Sequence, residues 1–136
     1  MSNIEQTLSI IKPDAVERNL DNDIKQMFIK NGFNISKEKK IQIEKSEAEK
    51  FYKVHETKPF YNDLCSYLSS GPIVAMILEK KNAVADNRKL MGVTNPKDAE
   101  DGTIRKKYGI SIDKNSVHGS DSIENAKIEI DFFFKD

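Results

Sequence analysis

Apolar residues recur along this chain with two different spacings, one typical of strands and one typical of helices. The runs TLSIIKP, at 7–13, and PIVAMILE, at 72–79, are short, apolar and partly branched, so they predict buried strands. The run FNISKEKKIQI, at 33–43, alternates and is highly charged, which predicts a strand at the edge of a sheet. SVHG, at 116–119, predicts the end of a fourth strand.

Between these runs, apolar side chains recur every three to four residues, as they do on one face of a helix. This spacing predicts helices at about 21–31, from 46 onward, over 61–70, at 82–90 and over 120–133. Ser46 and Glu49 match a capping box, and Asp121 with Glu124 predicts the cap of the last helix. The segment 92–114 has no sustained period, and a long irregular segment in a compact domain is usually functional or disordered.

The order of these elements predicts the fold class. Strands alternate with helices, which favours an α/β (α+β) arrangement with helices packed on a sheet. About four strands in a chain of 136 residues predict one domain, 1–136, with a ferredoxin-like βαββαβ fold: a four-stranded antiparallel sheet covered by helices.

Charge and composition narrow the possible partners. The chain has 22 basic and 22 acidic residues, so its net charge gives no reason to expect nucleic acid or an anionic membrane as a partner. A single cysteine, Cys65, cannot form an internal disulfide and fits a reducing compartment. No secretory signal and no apolar run of 18 residues is present, so we expect a cytoplasmic protein that does not span a membrane.

The stretch NSVHGSDS, at 115–122, holds the strongest candidate for chemistry. His118 lies among small polar residues just before a predicted helix, whose N-terminus is suited to an anion. A neutral imidazole facing a phosphate there is a possible nucleophile, although an isolated loop histidine is most often solvated. Glu129 could reach back to hold the ring, but the residues alone favour a solvated charge, since Glu124 and Asp131 are close in sequence.

Known nucleotide and metal motifs are absent. The chain has no GxxxxGK[ST] loop, no GxGxxG and no H-x-E…C-x-x-C pattern, so phosphate would have to be held by side chains. Lys12, Arg88 and Arg105 are the candidates. Lys12 stands out because it comes at the end of an apolar strand, where a solvated surface is not expected.

Beyond these patterns, NSVHGSDS resembles the active-site signature of the nucleoside diphosphate kinases. TLSIIKPDAV, KPFYNDL, SGPIVAMILE, NAVADNRKLMG, TNP and GTIR also follow that family's order and spacing, so the resemblance covers nearly the whole chain. It implies transfer of the terminal phosphate of a nucleoside triphosphate to a nucleoside diphosphate. The route is ping-pong through a phosphohistidine, with Mg²⁺ on the phosphates.

The resemblance also implies roles for individual residues. His118 is the nucleophile, Glu129 orients its ring, and Tyr52 and Ser120 support the centre. Nucleotide contacts fall to Lys12, His55, Phe60, Leu64, Arg88, Thr94, Arg105, Ile112 and Asn115, with Phe60 stacking on the base. Asp121 reaches the magnesium through water. A homo-oligomer, a hexamer or a tetramer, is expected, with nucleoside di- and triphosphates as partners and no specific nucleic acid.

Besides Lys114, where the family frequently has arginine, two departures from the family pattern fall in the segment 92–114. Asp101 stands where the family commonly has proline, and Lys106-Lys107 stand where it commonly has Gly-Asp. The missing proline predicts a less stable loop, because proline restricts the unfolded chain. Neither change touches a residue that the resemblance makes catalytic.

Two other functions remain as alternatives. A nucleotide-sensing module would keep Phe60 and the basic residues but lose His118 or its support, and all are present. A nucleic-acid-binding domain could use exposed aromatic residues such as Phe132–Phe134, but the RNA-binding sequence pattern K/R-G-F/Y-G/A-F-V-x-F/Y is absent.

Overall fold

The fold is built on a four-stranded sheet. A computed structural model describes residues 4–112 and 114–134, apart from the side chain of Val54. Its strands are β1 (Ile4–Ile11), β2 (Asn34–Ile41), β3 (Ile73–Lys81) and β4 (Val117–Gly119). They lie in the order β2-β3-β1-β4 and every neighbouring pair is antiparallel. The predicted ferredoxin-like sheet is confirmed, and the charged strand β2 lies at an edge as expected.

Seven helices in the described part of the chain cover this sheet. They are α1 (Pro13–Glu17), α2 (Asp21–Lys30), α3 (Lys45–Phe51), α4 (Tyr61–Leu68), α5 (Ala83–Met91), α6 (Ile104–Tyr108) and α7 (Ile123–Phe134), with 3₁₀ turns at Lys53–His55 and Pro96–Asp98. The segment 92–114 was predicted to be irregular, yet it contains one of these turns and α6. Five-residue helices such as α1 and α6 are too short to show a helical period.

Both predicted helix caps are wrong by one or two residues. At α3 the backbone N–H of Glu44 donates to the Glu47 carboxylate at 3.1 Å, so the capping box begins at Glu44 and not at Ser46. At α7 the N–H of Asn125 donates to the Ser122 hydroxyl at 3.1 Å, which makes Ser122 the cap in place of Asp121. Asp121 instead accepts from the side chain of Asn125.

The core lies on both faces of the sheet. Val74, Met76 and Leu78 of β3 pack into one cluster with Phe28 of α2. Ile73 and Ala75 of the same strand pack into the other. A strand buried on both faces needs apolar residues at every position, which explains the continuous run in PIVAMILE. In the described residues, no helix is long and apolar enough to cross a membrane.

The edge of the sheet formed by β1 and β4 positions the candidate site. β4 pairs with β1, so His118 lies opposite Ile10, and Lys12 follows the end of β1. The N–H of Lys12 donates to the carbonyl of Ser116 at 2.8 Å, which ties the two chain segments together just beyond the paired residues.

Candidate active site

His118 is held by a carboxylate from α7. Its Nε2 lies 3.2 Å from Oε1 of Glu129, and that oxygen also accepts from the Ser120 hydroxyl at 2.8 Å. A carboxylate only accepts hydrogen bonds, so this contact favours the tautomer with the proton on Nε2 and the lone pair on Nδ1. The residues alone favoured a solvated Glu129; that interpretation is wrong, because the helix returns the side chain to the ring.

Two aromatic rings pack against the imidazole. The rings of Phe51 and Tyr52 meet that of His118 edge-on, with centroids 5.3 and 6.1 Å away. Tyr52 is buried, and burial, followed by the negative charge of Glu129, raises its pKa above the usual value. The phenol therefore stays protonated and neutral. Phe51 had no predicted role, and its position next to Tyr52 in the sequence was the signal that could have indicated one.

A polar group lies at the start of β4. Lys12 is only 6% exposed, and its Nζ donates to Oδ1 of Asn115 at 3.0 Å. The amide of Asn115 donates in turn to the carbonyl of Thr94 at 3.2 Å. Three of the predicted nucleotide-binding residues are thus joined by hydrogen bonds.

The two predicted arginines line one cleft of about 580 Å³ together with Thr94. Arg105 donates to the carbonyls of Gly92 and Val117 at 2.8 and 3.0 Å, and Arg88 donates to the carbonyl of Asp121 at 3.4 Å. Burial, followed by the charge of Arg88, lowers the pKa of Arg105 to about 10. Arg105 still carries its charge at neutral pH, in a setting that favours a bound anion.

A row of rings leads away from His118. The Tyr52 and His55 centroids are 6.2 Å apart, and those of His55 and Phe60 are 5.9 Å apart. Phe60 is 46% exposed, so its face is available for stacking. Leu64 is half-buried against the core, and Ile112 borders a different cleft with Asn95 and Ile110. The N–H of Leu64 donates to the carbonyl of Phe60 at 2.9 Å, so Leu64 lies one helical turn from the end of this row, whereas Ile112 lies at the other cleft.

The described residues contain no group of three or more histidine, cysteine, aspartate or glutamate side chains that could hold a metal by themselves. Mg²⁺ binds well through one or two carboxylates and the phosphates of a substrate. Asp121 is exposed beside Arg88, so it can supply such a carboxylate. The residues present therefore fit a metal that arrives with the nucleotide.

Comparison with known proteins decides the family. A sequence model described as "Nucleoside diphosphate kinase" matches residues 5–136. The chain belongs to the nucleoside diphosphate kinase family. A nucleoside diphosphate kinase of Nitratiruptor sp. is 57% identical over 131 residues, which are 96% of each chain.

Solved structures agree with this assignment. The nucleoside diphosphate kinase of Aquifex aeolicus superimposes with a TM-score of 0.96 at 38% identity, covering 98% of this chain and 96% of that one. The nucleoside diphosphate kinase of Encephalitozoon cuniculi superimposes with a TM-score of 0.94 at 39% identity, covering 97% of this chain and 90% of that one. The chain therefore has nucleoside diphosphate kinase activity, and both alternatives from the sequence give way to an enzyme.

Proposed function

We propose that His118 carries the phosphoryl group between the two nucleotides. The observation that supports this role is the contact between Nε2 and Glu129, which leaves the Nδ1 lone pair for attack. Nδ1 attacks the γ-phosphorus of a nucleoside triphosphate, and the bond from that phosphorus to the β–γ bridging oxygen breaks. The nucleoside diphosphate leaves with the bridging oxygen. A terminal β-phosphate oxygen of a second nucleoside diphosphate then attacks the phosphohistidine and restores His118.

Phosphoryl transfer depends on positioning and on neutralising charge. Lys12, Arg88 and Arg105 supply positive charge, and Asn115 and Thr94 add polar contacts to phosphate and sugar. Glu129 stabilises the imidazole as it gains positive character, because its charge lies beside the ring nitrogen that does not react. Ser120 orients Glu129, and the neutral phenol of Tyr52 is a donor at the same centre.

The base side of the site is assigned to Phe60, with His55, Leu64 and Ile112 lining it. Every nucleobase has a π-face, so stacking on Phe60 accepts any base. This arrangement suits an enzyme whose donor and acceptor nucleotides can carry different bases.

Mg²⁺ is the proposed cofactor, with Asp121 reaching it through water. When bound to the phosphates it supplies additional neutralisation of their negative charge.

We also propose a homo-oligomer, a hexamer or a tetramer, located in the cytoplasm. Several large aliphatic side chains are half or more exposed, which fits burial by further copies of the chain: Ile4, Ile29, Val93, Ile110, Ile112, Ile123 and Ile128. The lone Cys65, buried and unpaired, fits a reducing compartment.

The test is labelling of the protein itself. Wild-type protein incubated with Mg²⁺ and γ-labelled ATP, without acceptor, should take up acid-labile, alkali-stable label and release it to added GDP. His118→Ala should take up none and should still bind nucleotide. His55→Ala changes the chain's other histidine and should still become labelled. Wild-type labelling of His118→Ala would overturn the proposal.

A further inference from the structure

Asp14, in α1, has a buried carboxylate that no role above uses. It is 5% exposed, yet three donors reach it: the Tyr67 hydroxyl at Oδ1, and Arg18 and Ser116 at Oδ2, the last two at 3.3 Å. The N–H of Asp14 donates back to the Tyr67 hydroxyl at 2.9 Å. Burying a charge is costly unless it is paired and hydrogen-bonded, and this carboxylate satisfies both conditions.

One of these donors, Ser116, has an unusual backbone. Its φ is +76°, in the left-handed region that costs a residue with a side chain roughly 1–2 kcal/mol. Such a conformation persists where the surroundings hold it. Ser116 is fully buried, and three contacts hold it: its hydroxyl donates to Asp14 and accepts from Arg18 at 3.4 Å, and its carbonyl accepts from the N–H of Lys12.

The turn at Ser116 sets the direction of the residues on both sides. Asn115 precedes it, and its amide reaches both Lys12 and Thr94. β4 begins directly after it and is three residues long, with His118 in the middle. A strand of three residues forms few backbone hydrogen bonds with its neighbour. The turn at Ser116 therefore contributes much of what holds β4 in place.

We propose that Asp14 is a positioning residue for phosphoryl transfer, acting through the strained turn at Ser116 to align Asn115, Lys12 and His118. This inference rests on the proposed function of those three residues. Asp14 lies behind the turn and does not touch the nucleotide. Arg18 extends the same network, since it also donates to the carbonyl of Tyr108 at 2.6 Å, at the end of the helix that carries Arg105.

The first test is Asp14→Asn in the full chain, with Mg²⁺, ATP as donor and GDP as acceptor. The amide keeps the size of the side chain, but it has one acceptor oxygen and no charge, so in either orientation it cannot accept from all three donors and it loses the ion pair with Arg18. Small misplacements of reacting groups can cost about a hundredfold in rate, so we expect kcat to fall about 10- to 100-fold. KM should change less than about threefold, because ground-state contacts remain. Single-turnover labelling should slow by the same factor as kcat. Asp23→Asn, an exposed change in α2, should leave both constants at the wild-type values.

Two changes at Ser116 keep the proposal testable if Asp14→Asn does not fold. Ser116→Ala removes the hydroxyl and keeps the strained φ, whereas Ser116→Gly removes it and relieves the strain. Both should slow single-turnover labelling, and the alanine variant more than the glycine variant. Wild-type kcat in correctly folded Asp14→Asn, or a higher KM with unchanged kcat, would overturn the positioning role. Those results would leave the nucleophile untouched, because only labelling of His118→Ala tests that.

Discussion

Three of the polar side chains at the site are buried and hydrogen-bonded before any nucleotide is present. Lys12, Asn115 and Ser120 are each at most 6% exposed, and each has a hydrogen-bond partner in the site. Removing polar groups from water costs free energy that these bonds offset. The groups are therefore already oriented, and binding does not have to order them.

Glu129 allows the charge on one of these oriented groups to be tested. Glu129→Gln can still accept from Nε2 of His118 but carries no negative charge to stabilise the ring as it gains positive character. Hydrogen bonds to charged groups contribute about 1.5–3 kcal/mol, so kcat should fall roughly 10- to 100-fold. Steady-state kinetics at saturating nucleotide measure it. Glu124→Gln, an exposed change on the same helix, should leave kcat at the wild-type value. An equal loss of kcat in that variant would show that the overall charge of α7 matters, and not the contact with His118.

At the scale of elements, α5 and β4 must approach closely, because one carries Arg88 and the other carries His118. The contact occurs at Gly119, where a Cβ would clash with the amide nitrogen of Asn87 and lie 2.7 Å from Cε of Met91. Asn87 is fully buried and has little room to move. Glycine is required here by close packing.

Gly119→Ala should therefore separate α5 from β4. Overpacking of a close contact typically costs about 1–3 kcal/mol, which urea unfolding would detect as a lower midpoint with an unchanged slope. Gly71→Ala is a matched control, since its Cβ would meet only Pro13 at an ordinary 3.6 Å. An equal loss in both variants would mean that flexibility of glycine, and not the α5–β4 contact, explains the effect. Adding Asn87→Ala to Gly119→Ala should recover part of the loss.

The accuracy of the sequence predictions follows from how each element is encoded. β3 was predictable from its continuous apolar run, and α2 from apolar residues that repeat a helical period. α1 and α6 are too short to repeat it, and the caps at Glu44 and Ser122 were misplaced because neighbouring polar residues were equally plausible. The residue at which a helix begins depends on which of several side-chain oxygens accepts a hydrogen bond from a backbone N–H.

The candidate site could be predicted where its residues lie together in one short motif. It could not be predicted where the fold brings distant residues together. His118 lies in one short stretch of sequence, and its resemblance to a family identified it. Asp14 and Ser116 are 102 positions apart, and nothing in either stretch indicates that they meet. The interpretation of Glu129 as a solvated charge, which was based on its sequence neighbours, was wrong for a related reason. The fold brings α7 against β4, and such a tertiary contact cannot be read from neighbouring residues.

At the scale of the whole molecule, a chain with no net charge concentrates positive charge in one region. Lys12, Arg88 and Arg105 come from the end of β1, from α5 and from α6. Each donates a hydrogen bond to β4 or to a residue just before or after it. Anionic ligands are thus attracted locally, while the rest of the chain, with more acidic than basic residues, gives no general affinity for polyanions.

Because the proposed nucleotide site draws residues from several of these elements, a bound nucleotide should stabilise the whole fold. A ligand that binds only the folded state adds about 2.7 kcal/mol at a hundred times its Kd, which for a domain of this size raises Tm on the order of 10 °C. ADP, GDP, CDP and TDP should all do so at fixed protein concentration.

Phe60→Ala tests the source of this stabilisation. Loss of stacking should reduce it by roughly 1–2 kcal/mol at the same nucleotide concentration, and equally for all four bases. Gln26→Ala, an exposed truncation in α2, should leave the ligand-induced change in Tm intact. A reduction confined to one base would mean that the ring reads a base edge and does not act as a general stacking surface, since only contacts to the edge differ between the four nucleotides.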